Sequence, residues 1–274
     1  MSFDLLISVV LYHNQKSEIE SLLNSCSGSK LKLCLVFVDN APGSIDYDFQ
    51  GLPSFAKYRP MPKNLGYGRA HNQVILDPQL QSKYYLIANP DVRFTAKDLE
   101  DIYVKMESEP GISLLMPKII WPDGMDQGLR KLLPHPGDLF LRRFIPNFLR
   151  PFFKSIEERY QLKNLDPTKE MLVPALSGCF MFCRHQILKG IGGFDPRYFL
   201  YLEDVDLSRR LGERGTNMYW PEVQVVHEYQ KSSYRSIKPL LLHLQSAIKY
   251  FNKFGWFIDP DRKSINQKAL SQKQ

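Results

Sequence analysis

Apolar and polar positions fall in blocks along the first half of the chain, and the period changes from block to block. LLISVVLY (5–12), LKLCLVFVDN (31–40), KYYLIANPDV (83–92) and ISLLMPKII (112–120) are short continuous apolar runs, as strands covered on both faces require. Between them, residues 16–25 place Ile19, Leu22 and Leu23 on one helical face. TAKDLEDIYVKMES (95–108) opens on Thr95 as an N-cap, with acids in its first turn. This alternation predicts an α/β fold, with a mostly parallel central sheet flanked by helices. Further on, LSGCFMFC reads as a buried strand. A helix follows Glu203, with Leu207 and Leu211 inward, and VVHEY is a short strand ending at His227. In 239–258, Leu240, Leu244, Ile248 and Phe251 recur at helical spacing, and 259–274 reads as a polar, poorly ordered tail.

Ligands of such sheets bind beyond the carboxyl ends of the strands. Asp39, Asn40, Asn89 and Asp91 fall at such ends and are expected on one rim. Asp91 in ANPDV suits a hard divalent cation, which uses one or two carboxylates and takes further ligands from water and phosphates. A common Asn-Pro-Asp turn is the plain alternative. NLGYGRAHN (64–72) nearly matches a dinucleotide fingerprint, but His71 stands where the last glycine belongs, and the loop YRPMPKN precedes it. Its content is narrower: Gly66 and Gly68 allow close backbone approach, a helix starts near Arg69, and Arg69 can pair with a phosphate. Glu203, Asp204 and Asp206 crowd together after an apolar approach. Adjacent carboxylates there raise one another's pKa and poise one for proton abstraction. Asp206 reads as a first-turn acid that complements the helix dipole.

The chain has 274 residues, 43% hydrophobic and 24% charged, which is ordinary globular composition. No apolar run reaches the ~18–20 residues that span a bilayer. The N-terminus carries an acid where a signal peptide needs bases, so a cytoplasmic location is expected. The four cysteines read as buried and reduced, since their spacing does not match a zinc site. Of the net charge of +7, residues 1–129 carry −3, 130–163 carry +5, 164–229 carry −2 and 230–274 carry +7. Both basic segments hold large apolar side chains, in 138–154 and in 239–258. Apolar faces edged with bases point to a membrane surface. A core-packed helix with a solvated basic rim is the alternative for 239–258. The phenylalanines cluster instead of standing as isolated stacking platforms, so nucleic acid is not expected as a partner.

In order and spacing, SVVLYHN, VDNA, NLGYGRAHNQ, ANPDV, LSGCFMFCR, GFDPRYFLYLEDVDLSRRL and VVHEY resemble the family-2 glycosyltransferases, from about Ile7 to about Tyr229. The likeness is greatest to the rhamnosyltransferase-like branch of bacterial O-antigen, capsule and cell-wall polysaccharide synthesis. The resemblance implies a Rossmann-like GT-A domain over 1–229, with a nucleotide-binding half (1–129) and an acceptor half (130–229) that holds the basic insertion 130–163. A basic helical extension and tail over 230–274 follows. It implies that Asp39, with Asn40, contacts the nucleoside, and that Asn64, Gly66, Gly68, Arg69, Asn72 and Asn89 line the nucleotide-sugar site. Asp91 and His227 would hold Mg2+ or Mn2+, with Asn89 replacing the first acid of the usual Asp-x-Asp motif. Asp204 would be the catalytic base, with Glu203 beside it. The Gln-x-x-Arg-Trp motif of processive synthases is missing, which implies transfer of one sugar.

The implied reaction is inverting transfer from dTDP-L-rhamnose, with another UDP- or dTDP-hexose left open as donor. The implied acceptor is an undecaprenyl-diphosphate-linked saccharide at the inner face of the membrane. A nucleotidyltransferase and a non-catalytic sugar-nucleotide-binding membrane protein are the rival classes. The oligomeric state is not legible.

Overall fold

A computed structural model describes residues 2–139, 152, 154–228 and 237–272. Most of the basic apolar stretch 138–154 therefore lies outside the described residues, as does Tyr229.

Three consecutive apolar runs form the parallel centre of the sheet: β1 (Ser2–Leu11), β2 (Leu33–Asp39) and, across β1 from β2, β4 (Gln81–Ala88). Every residue of β2 is buried, which is why its sequence is apolar throughout. β3 (Ala56–Pro60) adds to the outer side of β2, and β5 (Val92–Arg93) is a two-residue strand at the far edge. β6 (Ile112–Ile120) and β11 (Thr216–His227) run parallel to each other. β10 (Phe180–Arg184) is inserted between β4 and β6 and runs against both. The order is β3-β2-β1-β4-β10-β6-β11-β5, with β8 (Met171–Leu172) pairing with β11. A separate pair joins β7 (Arg130–Lys131) to β9 (Ala175–Leu176). The sheet is mostly parallel, so β2, β4 and β11 deliver their carboxyl ends to one rim, and the antiparallel β10 starts there.

Helices cover the sheet. Among them α1 (Lys16–Cys26) begins with a capping box between Gln15 and Glu18, and α2 (Tyr67–Ile75) follows Gly66. α3 (Ala96–Ser108) is capped by Thr95, whose side chain accepts from the Asp98 amide. α4 (Lys154–Tyr160), α5 (His185–Gly190) and α6 (Glu203–Gly212) follow. α7 (Ile237–Phe254) and α8 (Pro260–Leu270) close the chain.

Two expectations need correction. The stretch before Asn64 is not all loop, because Ala56–Pro60 is a strand. It lies at the sheet edge, half-exposed, so it needs no continuous apolar run, and Pro60 is tolerated where no further strand must accept a donor. The tail over 259–274 is also not disordered in its described part. Asp259 caps α8 by accepting from the Arg262 amide, with Pro260 in the first turn. Arg209 holds Asp259 by two hydrogen bonds of 2.7 and 2.9 Å, with both side chains almost fully buried.

α7 carries two apolar faces. Tyr250 and Phe251 are buried against Tyr198, Leu202 and Val205, so Phe251 belongs to the core. Lys253 turns inward to Asp195 and Asp206, and Lys249 donates to the Arg197 carbonyl. Leu241, Leu244 and Ile248 face outward, and Trp256, Phe257 and Ile258 beyond the helix are exposed too. The expected basic rim is thus partly turned in, and the outward face is aliphatic. Among the described residues, no helix is long and apolar enough to cross a membrane.

Candidate active site

The carboxyl rim gathers segments far apart in sequence around one phenol. Tyr67, the first residue of α2, directs its hydroxyl to Gly178 O (2.7 Å) and Asn89 Oδ1 (3.0 Å). Asn89 follows β4, and its amide donates to Cys179 O at 2.9 Å, tying the ANPDV turn to the start of β10. The Gly178 amide donates to Asp204 Oδ2 at 3.0 Å, bringing the first turn of α6 to the same place. Burial holds the Tyr67 phenol well above its ordinary range, and Cys179, Glu203, Asp204 and Asp91 push it the same way.

Asp91 is brought to His227 by backbone pairing. Val92–Arg93 pairs with the end of β11, matching Val92 with His227, and the Glu228 amide donates to Asp91 O at 2.9 Å. As a result Asp91 Oδ1 lies 3.2 Å from His227 Nε2. That oxygen is buried and accepts no hydrogen bond. A carboxylate oxygen facing an imidazole nitrogen fits the donor set of a divalent cation, whose remaining ligands would be phosphate and water oxygens. Among the described residues no cluster of three or more metal-ligating side chains occurs, so these two would be the protein's share.

Glu203 and Asp204 differ in environment. Glu203 is buried, and burial first, then neighbouring Asp204, raises its carboxyl to about 8. Asp204 is half-exposed, with its oxygens accepting from the Gly178 and Val205 amides. The chain enters this turn through consecutive left-handed residues, Tyr201 (φ 72°) and Leu202 (φ 61°). Such residues cost about 1–3 kcal/mol each and persist where packing over-determines them. Here Leu202 is buried, its carbonyl accepts from the Asp206 amide, and Ser246 of α7 donates to Leu200 O. Asp206 does more than complement the helix dipole. It is fully buried and binds Arg210, Lys253 and the Tyr198 hydroxyl, joining α6 to α7.

The remaining expected site residues brace the rim. Asp39 ends β2 with no exposed surface; its oxygens accept from the Tyr58 hydroxyl and the Ala41 amide, each at 2.8 Å. Burial first, then Asp39, pushes the Tyr58 phenol up to about 12. Asn40, also buried, donates to Gly66 O and accepts from the Leu65 amide. Both side chains thus lie beneath the rim: Asn40 holds the loop that leads into α2, and Asp39 ties the end of β2 to Tyr58 of β3. Asn64 is exposed and accepts from the Gly66 amide.

The close approach expected at the glycines is to the protein itself. A Cβ on Gly66 (φ +82°) would stand 2.3 Å from Phe199 O, and one on Gly68 would stand 2.8 Å from Phe194 Cβ. Asn72 uses both ends of its amide on the Phe194 backbone, and Arg69 Nε donates to Pro196 O. In the structure these four residues seat the loop over 193–199 against α2, and Arg69 and Asn64 keep exposed surface.

Two residues of the rim escaped the sequence reading. Tyr67 lies inside the glycine-rich segment, where an aromatic between two glycines was the available signal. Gln127, which binds His227, had none.

No family model matches the chain. It is 29% identical over 94% of its length to N-acetylglucosaminyl-diphospho-decaprenol L-rhamnosyltransferase of Mycobacterium tuberculosis, covering 88% of that protein. It is 27% identical to rhamnosyltransferase WbbL of Escherichia coli over 67% of its length and 70% of that protein. In structure it is similar to the mannosyltransferase PcManGT of Pyrobaculum calidifontis, solved with GDP-Man and Mn2+. The TM-score is 0.57 at 16% identity, covering 99% of this chain and 75% of that one. GalNAc-T7, solved with UDP, GalNAc and Mn2+, gives a TM-score of 0.57 at 12% identity over 84% of this chain and 44% of that chain. The chain has the fold of the GT-A glycosyltransferases and is similar to two rhamnosyltransferases, over 94% of its length to one and 67% to the other.

Proposed function

We propose that the chain transfers a single L-rhamnosyl residue from dTDP-L-rhamnose, with inversion, to a saccharide on a polyprenyl-diphosphate lipid. The observation that carries this reading is the meeting of two unlike groups around Tyr67: the Asp91–His227 pair and the half-exposed carboxylate of Asp204. The similarity to rhamnosyltransferases, one of them named for a lipid-diphosphate acceptor, supports the donor and acceptor classes.

Asp204 has the exposure a general base needs to reach an acceptor hydroxyl. It takes the proton as that hydroxyl attacks the anomeric carbon from the face opposite the diphosphate. One displacement inverts the configuration and leaves no sugar on the enzyme. Glu203, buried and held protonated by its setting, adds no second negative charge beside the base at neutral pH. Mg2+ or Mn2+ held by Asp91 and His227 would supply charge neutralisation to the departing diphosphate. Asn64 and Arg69, which keep exposed surface, are the polar groups of the glycine-rich segment available to the donor, and Arg69 suits a phosphate. Asp39, Asn40, Gly66, Gly68 and Asn72 serve this site by holding its walls.

A lipid-linked acceptor requires the enzyme to work at a membrane surface. The outward aliphatic face of α7 and the exposed Trp256, Phe257 and Ile258 support peripheral attachment at the inner leaflet, as does the +7 charge of 230–274. The test of the function is a donor panel of dTDP-L-rhamnose, UDP-sugars and GDP-sugars with a synthetic polyprenyl-diphosphate N-acetylglucosamine acceptor. Transfer from dTDP-L-rhamnose to give one added sugar of inverted configuration is expected. Transfer from a UDP-hexose alone would replace the donor, and pyrophosphate release from sugar phosphate and nucleoside triphosphate would replace the reaction.

A further inference from the structure

Gln127 has a fixed orientation that bears on His227. Its side-chain nitrogen donates to two backbone carbonyls, Ile120 O at 3.2 Å and His227 O at 2.8 Å. Both contacts accept and cannot donate, so the amide cannot be turned around without placing oxygen against oxygen twice. Its Oε1 therefore faces His227, 3.0 Å from Nδ1. An amide oxygen only accepts, so the neutral ring must carry its proton on Nδ1 to make this bond. The lone pair then lies on Nε2, the nitrogen 3.2 Å from Asp91 Oδ1.

We propose that Gln127 is a positioning residue that locks His227 in the Nδ1–H tautomer and ring orientation, so that Nε2 is presented beside Asp91 as a ligand. The claim that the ligand is a divalent cation rests on the proposed function; the tautomer does not. Gln127 reaches His227 from the turn after β6, where Gln127 N donates to Ile119 O and Ile120 bridges to Asp126. The turn is thus anchored to the strand beside β11, and a partner of this kind typically changes metal affinity about 10–100-fold.

The test uses the full chain with 15N-labelled histidine, free of metal, with the His227 signal assigned by its loss in His227→Gln. At a pH where the ring is neutral, the proton is expected on Nδ1; a proton on Nε2 overturns the proposal whatever the metal does. Mn2+ titration followed by EPR then compares wild type with Gln127→Leu, which keeps volume and loses the acceptor. Gln127→Leu is expected to show mixed tautomers and Mn2+ binding weaker by about 10-fold or more. If folded Gln127→Leu keeps both tautomer and affinity, the proposal fails. If Gln127→Leu does not fold, the wild-type tautomer decides. An Nδ1–H ring in a protein that binds no Mn2+ would leave the positioning role standing and overturn the metal reading instead.

Discussion

Asp91 Oδ1 and His227 Nε2 stand 3.2 Å apart because the two-residue strand Val92–Arg93 pairs with the last residues of the strand that ends at His227. A side-chain relationship at the site is thus set by backbone hydrogen bonds at the sheet edge. The Arg93–Glu228 ion pair at 2.8 Å spans the same strands at the surface and adds at most about 1 kcal/mol.

Asp204→Asn keeps an acceptor for the Gly178 amide and removes the base. Turnover is expected to fall about 10²–10⁴-fold, with the melting temperature little changed. Steady-state kinetics alongside thermal unfolding checks this; near-wild-type turnover would move the base elsewhere.

Glu203 carries a pH signature. Its folded carboxyl, raised to about 8 by burial and by Asp204, lies above its unfolded value of 4.5. The native state therefore holds more protons between those values, so this group costs nothing in acid and lowers stability as pH rises through about 8. Urea unfolding of the metal-free protein at several pH values should show that decline, and Glu203→Gln should flatten it. An equal slope in both proteins would assign the decline to other groups.

Asp259→Ala strands Arg209, which is almost fully buried and bound to Asp259 through both terminal nitrogens. A loss of about 3–5 kcal/mol is expected, as for other broken buried pairs. Hydrogen exchange should show α8 opening first, since the same carboxylate caps it. A loss under about 1 kcal/mol, typical of surface pairs, would contradict this.

This helix also shows where sequence patterns stop. The central strands were legible because a strand buried on both faces must be apolar throughout, as β2 is. The 260–270 helix offers only Ile265, Ala269 and Leu270 as apolar contacts, too few to read as a periodic face. It is held as well by Asp259 with Arg209 and by Asn266 on the Leu133 backbone. Likewise β3 is half-exposed and ends in proline, which reads as loop until β2 is beside it. At the site, the carboxylates and His227 could be named from motif order. The partners of Tyr67 and Gln127 could not, because Gly178 and His227 meet them only after the sheet has formed. The glycine-rich segment was legible as a place of close approach, but its neighbours, Phe194 and Phe199, were not.

Leu244, Ile248 and Phe257 are exposed and lie outside the rim, so replacing all three with Ser should spare folding and turnover of a water-soluble acceptor. Cosedimentation with anionic vesicles at low salt is expected to drop about 10-fold or more. Equal binding by wild type and variant would remove this face from the membrane account.

The central claim is that Asp91 and His227 hold the cation that donor turnover needs. The direct measurement is dTDP-L-rhamnose turnover with Mn2+ and with a chelator, in wild type and Asp91→Ala, with Mn2+ binding followed on the same samples. Metal-dependent turnover in wild type, lost together with Mn2+ binding in Asp91→Ala, is the predicted result. Turnover that survives chelation, or metal-dependent turnover that survives in Asp91→Ala, would contradict it.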